Sequence, residues 1–257
     1  MKALIKTVIS TVILVVISLQ LTAQENKVQT ITKPMKDSYK NKLFAGFSIG
    51  MSAAWWAGAR EDYINDVEEQ LEMESIYVDF KPIPRYSISF AILLEYCFSK
   101  HLRLYTEAAY VNKGQVYSGD GYMLYQEYYG SQAERYDFFM RMKMRVNYVQ
   151  IPLMFKVVTN PGIYFEAGPH LSITTHGKIH MMVKADDEKE SDSEKMPMLR
   201  PINYGISGGI GFQKKGFGID LRFIADFADT FKDGANPYEL KNRMVQLTFE
   251  LYPGQID

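Results

Sequence analysis

The sequence holds a single cysteine, Cys97, so it can build neither an intramolecular disulfide framework nor a cysteine-based zinc cluster. That residue also stands too deep in the chain to be the lipid-bearing cysteine of a lipoprotein. An excess of one charge is missing too. Against 29 Lys and Arg stand 30 Asp and Glu, a formal net charge of −1, so no global basic field points to nucleic acid. His176 and His180 lie close in sequence but without a metal-ligand spacing that carries weight, and neither a metal nor another cofactor is expected. No apolar run is long enough for a membrane-spanning helix. Val8 to Leu19 falls short of the roughly 20 residues such a helix needs, and no later stretch qualifies. With Lys2 and Lys6 before it and Ala23 after it, that run reads as the core of a signal peptide over 1–23.

Aromatics are plentiful, with 18 Tyr and 15 Phe. Past the polar, Lys-rich stretch 24–42 the chain alternates. Eight segments have period two, at about 43–56, 85–98, 102–113, 136–158, 163–176, 203–213, 217–229 and 242–252. In the second, Tyr86, Ile88, Phe90, Ile92, Leu94, Tyr96 and Phe98 share one face; Ser87, Ser89, Ala91, Glu95 and Cys97 share the other, with Leu93. In the seventh, Phe217, Ile219, Leu221 and Phe223 oppose Gly218, Asp220 and Arg222. The connections alternate short and long: 99–101, 159–162 and 213–216 are tight, whereas 57–84, 114–135, 177–202 and 230–241 are long and polar. An even strand count with short turns at one rim and long loops at the other marks a transmembrane barrel, because hydrocarbon leaves an open sheet's edges unsatisfied. The fold expected is all-β, an eight-stranded antiparallel up-and-down barrel over 43–257, with long extracellular loops and 24–42 as a periplasmic lead-in. A soluble barrel would swap the faces, but the Gly and Ser of the polar face (Gly46, Ser48, Gly50, Ser52; Gly205, Ser207, Gly209, Gly211) suit a narrow, filled interior.

The run Asn147-Tyr-Val-Gln-Ile-Pro-Leu-Met-Phe-Lys156, then Ile163-Tyr-Phe-Glu-Ala-Gly-Pro-His-Leu-Ser172, resembles the small Gram-negative outer-membrane β-barrel proteins termed PorT-like, or outer membrane protein beta-barrel domain. Tyr204 to Phe212 and Asn242 to Phe249 are similar to that family's last hairpins. The resemblance covers about 40–252 and implies location and fold: an integral outer-membrane protein, monomeric, in contact with lipid and lipopolysaccharide. Its motifs are structural and imply no reaction, although a few members are similar to accessory parts of secretion machinery.

Parity places Glu95, Arg103, Glu107, Lys156, Glu166, Asp220, Arg222 and Glu250 inside, where charges of both signs can pair and plug the lumen. His170 and Ser172 share a strand face with Glu166, the inventory of a lipid A-modifying hydrolase. The same parity buries all three away from lipid, which favours a satisfied lumen histidine and no enzyme. The fourth segment keeps alternating upstream and places Arg141, Lys143 and Arg145 outward above the hydrocarbon, as contacts for lipopolysaccharide phosphates; a bulge near Asn147 would instead turn them inward or to solvent. The aromatics of the second long loop (Tyr117, Tyr122, Tyr125, Tyr128 and Tyr129) either bind a protein partner or pack over the barrel mouth. Asp186 to Glu194 reads as a solvated, disordered acidic loop tip. The function expected is a non-enzymatic barrel whose extracellular loops bind a partner or support a membrane or secretion complex, with a passive structural barrel as the alternative.

Overall fold

A strand with one lipid-facing side and one packed side is satisfied only when it has a neighbour on each edge. The computed structural model describes residues 42–58, 60–125, 133–159, 162–185, 188–196, 198–214, 216–232 and 238–256, the last four by backbone alone. Among these residues the elements are β1 (Lys42–Gly58), α1 (Arg60–Met73), β2 (Ile76–Val78), β3 (Lys81–Cys97), β4 (Leu102–Tyr125), β5 (Glu134–Val158), β6 (Ile163–Ala185), β7 (Glu188–Lys195), β8 (Ile202–Lys214), β9 (Phe217–Asp226) and β10 (Leu240–Ile256). All pairings are antiparallel. β1, β3, β4, β5, β6, β8, β9 and β10 succeed one another round a closed circle, and β10 returns to β1. The ring is thus a closed antiparallel barrel.

The face assignment rests on exposure. Ile88, Phe90 and Ile92 of β3, Leu153 and Phe155 of β5, and Leu221 of β9 are exposed on the outside, while their sequence neighbours are buried inside. A continuous apolar outer surface of this extent belongs in hydrocarbon. Phe98, Phe212 and Phe217 are exposed beside the tight turns, and Tyr86, Tyr204 and Phe227 beside the opposite rim, where rings favour the interface. At the turn rim Ser99 Oγ accepts from the backbone N–H groups of His101 and Leu102, and Gly216 adopts a φ of 81° that suits glycine.

Inside, small residues stand opposite large ones. Gly205, Gly209 and Gly211 of β8 pair with His170, Glu166 and Tyr164 of β6 on one edge, and with Asp226, Arg222 and Asp220 of β9 on the other. A Cβ on Gly211 would collide with the ring of Tyr164, so this glycine makes the space in which the tyrosine lies.

Beyond the loop rim the structure departs from the expected loops. β4, β5 and β6 do not end there; they rise past the ring to Tyr125, from Glu134 and to Ala185. β2 and the start of β3 line the outer edge of β4, and β7 lines that of β6, giving a raised open sheet. The acidic stretch expected to be a disordered tip is β7 from Glu188 onward. Its alternation is of charge rather than of polarity, which a search for apolar period two passes over. The change of course coincides with bulges. β6 pairs with β8 up to Ile173, gains one extra residue opposite the Asn147/Tyr148 step, and pairs with β7 from Lys178. The 57–84 connection contains α1, whose Tyr63, Ile64, Val67 and Leu71 recur at helical spacing and pack on the buried upper core. Glu61 and Asp62 complement the dipole of its first turn, and Ser75, at φ 63°, ends it.

Replacing Gly211 by Leu is expected to lower unfolding stability by about 1–3 kcal/mol through overpacking. Adding Tyr164→Ala should restore part of that loss, read from the temperature at which the folded band on unheated gels disappears.

Candidate functional site

Lumen side chains fall into three layers. Nearest the tight turns is the charge network. Arg222 donates from Nε to Glu166 at 2.8 Å and from Nη1 to Glu107 at 2.7 Å, with Nη2 3.0 Å from Asp220. Lys156 stands 3.2 Å from Glu95, 3.6 Å from Glu250 and 3.7 Å from Glu166. Its ammonium also lies over the rings of Tyr105 and Tyr164, at 4.5 and 4.1 Å from their centroids. Arg103 donates to Glu95 at 2.6 Å and to Gln213 at 2.9 Å, closing the network toward the turn rim. All eight residues that parity placed inside are therefore within one connected set. Each cation touches carboxylates from other strands, which ties the ring across its interior.

The middle layer centres on Asp226. Lys113 and His170 each approach its Oδ1 at 2.8 Å, and Ser207 Oγ lies 2.9 Å from His170 Nδ1. Ser172 accepts from Lys113 at 3.3 Å, while Glu166 belongs to Arg222 and Lys156. The His170–Ser172–Glu166 grouping considered as a hydrolase is thus not assembled. On one strand face His170 and Ser172 point side by side, and the partners come from β4, β8 and β9 instead. The new grouping of Ser207, His170 and Asp226 is buried inside the ring, where no lipid ester reaches it. Lys113 and Asp226 were not among the expected lumen charges, although they share the parity of Glu107 and of Arg222, which was the signal available.

The uppermost layer is apolar. Trp56, Tyr117, Met142, Met144, Ile224, Leu240 and Met244 are buried together, with Ile64 of α1 above them. Trp56 donates from its indole to Asn242 at 3.1 Å, and Tyr63 packs edge-on to Trp56 with centroids 6.2 Å apart. Glu68 of α1 accepts the backbone N–H of Phe80 at 2.7 Å, pinning the helix to the start of β3. Burial raises the Tyr63 hydroxyl above its ordinary value.

Tyr117, expected either to bind a partner or to pack over the barrel mouth, is buried in this layer against Phe80. β4 continues through it, and its odd position points inward with Lys113 and Gln115. Tyr122 stacks on Tyr77 at 4.8 Å with the Arg135 guanidinium 4.0 Å from its centroid, and Tyr125 is exposed. Tyr128 and Tyr129 lie outside the described residues. Arg141, Lys143 and Arg145 alternate with buried Met142, Met144 and Val146, which places them on the outer face of the raised sheet. A bulge does occur at Asn147, but its extra residue belongs to β6, so the parity of β5 is unbroken. Among the described residues no group of His, Cys, Asp and Glu is arranged to hold a metal ion.

Removing the Arg222 guanidinium would leave three carboxylates facing one another. Arg222→Met is expected to destabilise the barrel by about 3–5 kcal/mol, the penalty for stripping one member from a buried ion network. Urea unfolding in detergent micelles measures it.

Comparison with known proteins bears on the identity of this barrel. Among solved structures it is similar to the attachment invasion locus protein Ail of Yersinia pestis, with 10% identity over 82% of this chain and 98% of that one and a TM-score of 0.35. It is likewise similar to neisserial surface protein A, at 9% identity over 82% and 96% and a TM-score of 0.35. OprG of Pseudomonas aeruginosa shows 10% identity over 84% and 97%, with a TM-score of 0.29. At such scores these likenesses carry no argument. No curated protein matches the chain at a significant level. The family model for the outer membrane protein beta-barrel domain, in contrast, matches residues 23–232. With that match spanning most of the sequence and the closed, lipid-faced ring beneath it, the chain belongs to the outer membrane protein beta-barrel domain family.

Proposed function

We propose that the protein is a non-enzymatic anchor in which the sealed ring holds the outer membrane and the raised sheet is the working surface, binding a partner outside the cell. The observation that carries this reading is the raised sheet itself. A barrel whose only task is to span the membrane gains nothing from strands continued well past the lipid band, nor from an extra strand and a helix attached to them. The interior supports it by offering no route for solute: charge pairs, then Asp226 and its partners, then the apolar layer under α1 occupy the lumen in turn. Catalysis has no accessible nucleophile there, since Ser172 and Ser207 are both buried. Residues 1–23 would direct export and be removed after Ala23, leaving 24–42 as the periplasmic lead-in.

Two measurements test this. Reconstituted protein is expected to show no sustained conductance in planar bilayers; steady channels would remove the sealed interior from the account. Shortening the β4–β5 hairpin by replacing residues 119–140 with Asn-Gly should leave the heat-sensitive folded band intact. It should also abolish chemical crosslinks to partners on intact cells that the parent chain forms. Identical crosslinks from both proteins would move the binding surface off this hairpin, and none from the parent chain would favour the passive structural barrel. N-terminal sequencing of the mature protein is expected to begin at Gln24.

A further inference from the structure

Pairing register sorts the charges of the raised sheet by face. Directly opposed residues in an antiparallel sheet share a face, so the outward rows across β5, β6 and β7 can be read from their partners. Nearest the membrane, Arg145 pairs with Lys178 and Lys178 with Lys195. Above them come Lys143, His180 and Ser193, then Arg141, Met182 and Ser191, then Phe139, Lys184 and Lys189. Seven of these twelve positions are Lys or Arg and none is Asp or Glu. The acids of β7 all lie on the other face: Glu194, Asp192 and Glu190 oppose Ile179, Met181 and Val183, and Glu188 opposes Ala185. None of the seven cations forms an ion pair with a described residue.

Like charges directly opposite one another on a sheet repel, and the first row sets three cations side by side. An arrangement that a single Glu could relieve, while four acids stand one residue away on the reverse face, calls for an anion from outside the chain. Its height says which. Arg145 lies four residues above Val149, the nearest of the outward apolar positions on β5 (Val149, Ile151, Leu153, Phe155). That is about 13 Å along the strand and less along the tilted membrane normal. Long Lys and Arg side chains bend toward an interface from such a position. The guanidinium of Arg145 offers a forked contact to phosphate that the lysines extend as point charges.

We infer that the outward face of β5, β6 and β7, beginning with Arg145, Lys178 and Lys195, binds the phosphates of the glycolipid headgroups that surround the barrel, namely those of lipopolysaccharide. This rests on the raised sheet being a binding surface, and it names one ligand of that surface.

The test uses the full chain purified in neutral detergent, with bound lipid counted by native mass spectrometry as bis-phosphorylated lipid A is titrated. Each cation near an anionic surface contributes roughly fivefold to affinity, so Arg145→Gln/Lys178→Gln/Lys195→Gln is expected to weaken binding on the order of 100-fold. Arg145→Gln alone should weaken it about fivefold, which keeps a readable result should the triple variant fail to give the folded band. Lipid A stripped of both phosphates should bind the parent no better than it binds the triple variant. Equal binding of lipid A by parent and variants overturns the inference. So does displacement of lipid A from the parent by an equal concentration of inorganic pyrophosphate, which would assign the face to free phosphate rather than to a lipid headgroup. The triple variant's crosslinks on cells separate the two proposals: partners retained with lipid A binding unchanged would overturn the lipid site and leave the binding platform standing.

Discussion

Closing a sheet at eight strands leaves an interior only as wide as the side chains it must contain, and hydrocarbon outside denies the backbone any partner but the next strand. Under those two conditions inward side chains cannot be chosen one at a time. Tyr164 fits because Gly211 stands opposite, His170 because Gly205 does, and the Asp220 carboxylate because Gly209 carries no side chain. The charges obey the same rule in electrostatic form. Arg222 from β9 meets Glu107 from β4 and Glu166 from β6, while Lys156 from β5 meets Glu95 from β3 and Glu250 from β10. These pairs do little to raise stability over an apolar filling of the same shape, since desolvation offsets most of their attraction. What they do is make each strand's register depend on others across the lumen.

Above the membrane that restriction is lifted, and the same strands behave differently. Once β6 has exchanged β8 for β7, the sheet is no longer part of the ring. One face stays apolar through Met142, Met144, Ile179 and Met181 and receives α1; the other is given over to cations. The bulge that accompanies the exchange of partners adds a residue to β6 without disturbing the parity of β5. Lipid, lumen and water therefore meet a single continuous ladder at different heights, and residue type changes with height accordingly.

Much of the ring is legible in the sequence because period two reports the faces directly. The eight alternating segments correspond to the eight ring strands, and the inward charges can be numbered from parity alone. Lys113 lies at the end of its alternating segment, where the apolar period fades; Asp226 stands on the polar face of the seventh segment, but nothing local ties it to Lys113 or His170. Other features have no apolar period to read. β7 alternates Glu and Asp with Lys and Ser, so its composition imitates a solvated loop while its pairing makes a strand. α1 is acidic on all but one narrow stripe, and Tyr117 is buried only because β4 runs on past the membrane. The partners of His170 come from β8 and β9, and contacts that join distant strands leave no mark in local spacing.

The seam of the barrel joins the first strand to the last: Leu43 lies beside Ile256, and Gly58 beside Leu240. Every other junction in the ring links strands close in the chain, so it can form as soon as the later of the two arrives. This one waits for the whole sequence. Until β10 is in place β1 has a bare edge, which in hydrocarbon is intolerable and in water is an invitation to mispair. Assembly is therefore a late, all-or-none event with a long loop to close. Chain order alone thus makes this seam the last pairing that the ring can complete.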